Sequence, residues 1–136
     1  REAYLYALVA RLGEDLHDEN NTSREFSYSY QTYVDYTINY IEHNYSKNIK
    51  ITDIADYIGI NRSYLTSCFK KSMNISPQRF LLEYRMKKAE NLLLSTTKSI
   101  NEISFEVGYE DSLAFSKVFK SYSGLSPKSY RAKSGQ

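Results

Sequence analysis

GINRSYLTSCFKKSMNISP occupies residues 59–77, and GYEDSLAFSKVFKSYSGLSP occupies 108–127. The two stretches share an opening glycine, a polar start, a Phe-Lys pair and a closing Ser-Pro. Upstream the likeness continues. Ile103, Val107 and Gly108 match Ile54, Ile58 and Gly59 at an offset of 49, while Phe119 and Pro127 match Phe69 and Pro77 at an offset of 50. The second copy therefore holds one extra residue, which we place between Ser112 and Phe115. A chain of 136 residues that spends so much of its length on two copies of one small object has little left for a large substrate pocket.

Each copy reads as a helix, a turn and a second helix. Thr52 is placed to cap a helix through Ile58 that buries Ile54, Ala55 and Ile58, and Gly59 tolerates the left-handed conformation that ends it. Asn61 caps the next helix, on which Leu65, Cys68, Phe69 and Met73 recur at helical spacing. Ser76-Pro77 opens a long helix with a cap and a proline in its first turn. Leu82, Met86, Ala89 and Leu93 carry its core face to about residue 94. In the second copy Ser99 and Glu102 have capping-box spacing, Asp111 caps the following helix, and Phe115, Val118, Phe119 and Tyr122 face inward. A last helix runs from Pro127 to about Ala132. The expected architecture is all-α: helix-turn-helix units at 52–73 and 100–123, joined by a linker helix over 77–94.

Upstream, Val34, Ile38, Ile41 and Tyr45 mark one face of a helix from Tyr33 to about Asn44–Lys47, beside a stripe of Tyr33, Tyr36 and Tyr40. Aromatic residues at this spacing read as core with their hydroxyls at the rim. Leu5, Val9, Leu12 and Leu16 predict an amphipathic helix over 3–17. Between these helices, HDENNTSREFS at 17–27 is polar, so residues 19–32 read as a linker. The first residue is Arg rather than Met, and the sequence reads as a fragment of a longer protein.

Composition narrows the function classes. The longest apolar run, AYLYALVA at 3–10, falls far short of the roughly 18 residues a membrane helix needs. One cysteine, Cys68, permits no internal disulfide and suits a reduced cytoplasmic setting; its place between Leu65 and Phe69 makes it a core thiol rather than a nucleophile. His17 and His43 stand apart, with no HExxH and no Cys/His pair at metal spacing. No enzymatic activity, cofactor or metal is expected. Net charge is +2, but residues 1–32 hold three Lys/Arg against six Asp/Glu and residues 33–136 hold fifteen against ten. The basic excess lies in the repeated part, which points towards a polyanionic partner.

The outward faces of the second helices carry that suggestion further. They hold Arg62, Ser63, Thr66, Ser67 and Lys70 in the first unit, and Ser112, Leu113, Ser116, Lys117 and Lys120 in the second. Neither face carries an acid. The acids stand on the first helices, at Asp53, Asp56, Glu102 and Glu106, or at the caps, at Glu110 and Asp111. A helix-turn-helix that reads DNA lays its second helix in the major groove and offers short polar or basic side chains to base edges. The linker helix, on the order of 26 Å long, suits two readers that meet grooves about 34 Å apart. The rival is a helical protein-interaction module using the same faces.

EISFEVGYEDSLAFSKVFKSYSGLSPKSYR at 102–131 and DIADYIGINRSYLTSCFKKSMNISP at 53–77, with Arg85, Ala89, Leu92 and Leu93 in the linker helix, resemble the C-terminal DNA-binding domain of the AraC/XylS family of bacterial transcription regulators over residues 33–133. Ser104, Ala114 and Asn74 depart from the usual Ala, Tyr or His, and Gly. The resemblance implies a seven-helix fold with two homeodomain-like helix-turn-helix subdomains. It maps base reading to Ser63, Thr66, Ser67, Ser112, Leu113, Ser116 and Lys117. Lys117 suits guanine, the hydroxyls make adaptable contacts, and Leu113 can touch a thymine methyl. Arg62, Lys70, Lys71 and Lys120 are better read as phosphate anchors. The resemblance further implies an activator of a carbohydrate-utilisation operon, with promoter or operator DNA and RNA polymerase as partners. A small-molecule inducer would bind a preceding domain, residues 1–18 would be that domain's last helix, and the whole protein would form a homodimer.

Overall fold

A computed structural model describes residues 22–134; the helix expected over 3–17, and His17 with it, lies outside them. Among the described residues the chain forms seven helices and no strand: α1 (Thr22–Asn44), α2 (Ile51–Ile58), α3 (Arg62–Met73), α4 (Pro77–Ser95), α5 (Ile100–Glu106), α6 (Ser112–Ser123) and α7 (Pro127–Ser134). α2 packs on α3, α5 on α6, and α6 on α7. The two short-helix pairs and the long helix between them stand where the repeat places them.

The chain divides into two units. The first comprises the described chain up to His43 together with Lys50–Arg79, and the second comprises Asn44–Ile49 together with Phe80 onward. In the first, Val34, Ile41, Ile54, Leu65 and Phe69 are fully buried, with Ala55 and Cys68 nearly so. In the second, Met86, Ala89, Leu93, Ile103, Val107, Phe115 and Phe119 form one core cluster, flanked by half-buried Val118, Tyr122 and Tyr130. Phe119 is the hinge of its aromatic packing, 5.8 Å from Phe115 and edge-on to Tyr130 at 5.3 Å between ring centroids.

Local chemistry sets most helix ends. Asn61 Oδ1 accepts from Ser63 N at 2.7 Å, and Asp111 Oδ1 from Leu113 N at 2.9 Å. Ser76 and Ser99 accept from the amides three residues on, Arg79 and Glu102, both at 3.1 Å. Each of these bonds satisfies an amide that the first helical turn leaves without a partner. At the far end of α3, Asn74 adopts φ +65°, where α6 ends on Gly124 at φ +85°. Asn can fill the position that the second unit gives to glycine because its short amide side chain tolerates the left-handed region.

Three expectations need correction. The stretch read as a linker at 19–32 is helical from Thr22. Neither Gly nor Pro occurs between Glu14 and Ile58, and polar side chains there find partners inside the fold. Gln31 Nε2 donates to Asp35 Oδ1 at 2.9 Å, Ser72 Oγ donates to Gln31 Oε1 at 3.3 Å, and Thr32 and Asp35 are buried. Polarity predicted solvation, but paired polar groups can be buried without that cost. Second, α2 starts at Ile51, with extended Lys50 at the cap position and no side-chain cap; burying Ile51 places it inside the helix, and Thr52 with it. Third, α3 and α6 each run twelve residues from caps Asn61 and Asp111. The extra residue of the second copy therefore lies in the turn, Gly108–Asp111 against Gly59–Asn61, and not between Ser112 and Phe115.

Candidate nucleic-acid interface

With the inserted residue assigned to the turn, the second helices align position by position: Arg62 with Ser112, Ser63 with Leu113, Thr66 with Ser116, Ser67 with Lys117 and Lys70 with Lys120. On α3, Arg62, Ser63, Ser67, Lys70 and Lys71 are exposed and Thr66 is half-buried; on α6, Leu113, Lys117 and Lys120 are exposed, while Ser112 and Ser116 are half-buried. All eleven side chains singled out from sequence thus reach solvent. The opposite sides of the same helices bury Leu65, Cys68 and Phe69, and Phe115 and Phe119, which fixes the direction each outward face takes within its own unit.

Electrostatics separate the faces from their surroundings. Asp53 and Asp56 on α2, and Glu102 and Glu106 on α5, are all exposed but lie on the first helices. Glu106 is joined to Lys98 at 2.7 Å, and the Asp111 carboxylate is taken up as the α6 cap. The faces of α3 and α6 retain hydroxyls and cations, with one exposed leucine. Lys71 alone of the cations has a ring beneath it, its ammonium 5.7 Å from the centre of Tyr30.

The remaining candidate groups are structural. Cys68 is buried, and burial raises its thiol pKa against the smaller opposing effects of the Tyr64 hydroxyl and Lys71. His43 is exposed, with Nδ1 2.8 Å from Asn39 O. Among the described residues, no group of His, Cys, Asp and Glu could hold a metal ion. The tyrosine stripe packs as expected: Tyr33 meets Tyr64 edge-on at 6.1 Å, and Tyr36 stacks on Tyr57 at 5.6 Å. Burial, then hydrogen bonding with Tyr57, pushes the Tyr36 hydroxyl pKa up to about 12.

One positioning group was not assigned a role from sequence. Arg85, on α4, donates from Nε to Tyr45 O at 2.8 Å and from Nη2 to Lys47 O at 2.9 Å, and its guanidinium sits 5.4 Å from the centre of the Tyr109 ring. Tyr109 belongs to the turn that leads into α6, and Gly108 beside it approaches the same carbonyl of Tyr45. The turn before α6 is therefore clamped to Tyr45 and Lys47, in the stretch between α1 and α2. The available signal was an arginine at the same helical spacing as Leu82 and Ala89, on the apolar side of α4. Arg131 makes a related clamp, donating to Leu93 O and Thr96 O at 3.0 and 3.3 Å.

Comparison with known proteins agrees with this geometry. A helix-turn-helix domain family matches residues 54–133. The chain is 41% identical over 130 residues to the Msm operon regulatory protein of Streptococcus mutans, an alignment covering 93% of this chain and 45% of that protein. It is 39% identical over 98 residues to the lactose operon transcription activator of Staphylococcus xylosus, covering 72% of this chain and 35% of that one. The solved C-terminal domain of AraT, a response regulator from Geobacillus stearothermophilus, matches with a TM-score of 0.73 at 34% identity, over 74% of this chain and 84% of that chain. The chain thus spans less than half the length of these two curated relatives.

Proposed function

The chain belongs to the AraC/XylS family of transcription regulators and carries its helix-turn-helix DNA-binding domain, and on that premise we propose that it sets α3 and α6 in successive major grooves of promoter or operator DNA to activate a carbohydrate-utilisation operon. The observation that carries this reading is the acid-free outward face shared by two equivalent helices in one chain. Ser63, Thr66, Ser67, Ser112, Leu113, Ser116 and Lys117 meet base edges, and Arg62, Lys70, Lys71 and Lys120 hold phosphates and set register. The lactose operon activator among its relatives supports both the sugar-operon assignment and activation. Residues 33–133 form the DNA-binding domain. RNA polymerase, a small-molecule inducer bound by a preceding sensor domain that ends within residues 1–18, and a second copy of the protein complete the set of partners. Among the described residues no helix is long and apolar enough to cross a membrane, in keeping with a regulator working in the cytoplasm.

Selection of bound duplexes from a random pool, followed by titration of the winning duplex at two ionic strengths, tests the reading. A single enriched site, bound with an affinity that falls steeply with salt, is the expected result. No enrichment, or binding indifferent to salt, would instead assign the two faces to protein partners.

A further inference from the structure

We infer that the stretch Asn44–Ile49 is a positioning device for α6: it holds that helix through Arg85 and the Gly108–Tyr109 turn, so that loosening it removes base preference from α6 alone. This rests on the DNA-binding reading above and adds groups that act on the site without touching DNA.

Although it connects α1 to α2, this stretch packs with the second unit. Lys47 N donates to Asn44 O and Ile49 N to Lys47 O, both at 2.9 Å, which folds it into a compact turn. Helix α4 grips it in two ways. The Tyr45 ring stands edge-on to Tyr84 at 5.2 Å, and the Lys88 ammonium lies 5.9 Å from the centre of the first ring and 5.5 Å from that of the second. Arg85 takes the backbone, at the carbonyls of Tyr45 and Lys47. The same guanidinium lies against the Tyr109 ring, and Tyr109 in turn packs on Phe115 at 5.7 Å. Phe115 is fully buried and falls midway in the chain between Leu113 and Lys117. A planar fork with two N–H groups on carbonyls and its face on a ring fixes all three partners together. Gly108 completes the fit, because no side chain could stand between its turn and the Tyr45 carbonyl. The matching turn of the first unit is open at this place, where a methyl added at Gly59 meets nothing within 4 Å. The dependence is therefore specific to α6. A reading helix displaced by a fraction of an ångström keeps its fold and its attraction to phosphate, but it loses the alignment that hydrogen bonds to base edges require.

The test uses the full chain and the selected duplex with one half of the site scrambled at a time; the ratio of intact to scrambled affinity is the base preference of that half. The α6 half is the one at which Lys117→Ala loses preference. Tyr45→Leu and Arg85→Lys should each reduce preference at the α6 half about 10-fold, the worth of one base contact, and leave the α3 half within about 2-fold. The double variant should be no worse than Arg85→Lys alone, because the stretch acts through that guanidinium. Lys88→Ala leaves the backbone grip in place, so a loss of about 3-fold at the α6 half is expected, with an unchanged salt slope. Lys88→Arg returns a cation to both rings and should restore the preference. Unchanged preference in every variant, equal losses at both halves, additive losses at 45 and 85, or a salt slope that falls with Lys88→Ala overturns this inference and leaves the DNA-binding reading intact. Absence of salt-dependent duplex binding by the wild type overturns both. Circular dichroism checks that each variant is folded; where Arg85→Lys is not, the Lys88 pair carries the test.

Discussion

A methyl group added at Gly108 would collide with the carbonyl oxygen of Tyr45 and lie 2.9 Å from Nε and Nη2 of Arg85, on a backbone held at φ +99°. Gly59, the matching glycine of the first unit, has φ +85° and nothing within 4 Å of the same methyl. Gly59→Ala should therefore carry the left-handed strain alone, about 1–2 kcal/mol. Gly108→Ala adds overlap with fixed backbone and should cost about 3–5 kcal/mol. Urea unfolding of both variants checks the order; equal losses would show that the turn yields. Tyr36 gives a pH test. Its folded pKa of about 12 lies above the ordinary tyrosine value of 10.0, so between these values the unfolded chain has released the proton that the folded chain keeps. Stability from this group is complete below pH 10 and is lost as pH rises towards 12. Denaturation at pH 9 and pH 11 should show a larger alkaline loss for the wild type than for Tyr36→Phe.

At the scale of elements, the reading helices were legible because their information is local. Apolar spacing marked their buried faces, and Asn61, Ser76, Ser99 and Asp111 cap where short polar residues precede helical periods. The outward faces followed as the complement of the buried ones. What sequence could not show depends on partners distant along the chain. The N-terminal half of α1 looked like a loop because HDENNTSREFS at 17–27 is polar, whereas Gln31 pairs with Asp35 one turn on and with Ser72 of α3, partners that composition does not show. The clamp at Arg85 joins residues about forty positions apart, and the inserted residue could be placed in the turn only once both caps were seen. Arg85→Lys tests whether the clamp needs the planar fork. A lysine retains charge but cannot serve two carbonyls and a ring face together. The expected loss is about 1–3 kcal/mol, with fluorescence or amide-exchange changes centred on Tyr109 and the first turn of α6. A loss spread evenly over all seven helices would argue for a general packing role instead.

The whole molecule distributes charge so that weak net basicity becomes a strong local signal. Net charge is only +2, yet α3 and α6 carry no acid along their length while Arg62, Lys70, Lys71 and Lys120 stand exposed on them. If these four each neutralise one phosphate, the logarithm of affinity should fall with the logarithm of salt at a slope of about −3.6, a loss of roughly a hundredfold between about 50 and 200 mM. The same number predicts the variants. Lys120→Ala should reduce the slope by about 0.9 and weaken selected and random duplexes alike. Lys71→Ala should do the same only to the extent that phosphate competes with the Tyr30 ring for its ammonium. A duplex cut to the half-site of α6 should keep only the contribution of Lys120, with a slope near −0.9. The measurement is a series of titrations at four salt concentrations on full and half duplexes. An unchanged slope on the half duplex would mean that α3 never engages the backbone and that one unit carries the whole interaction.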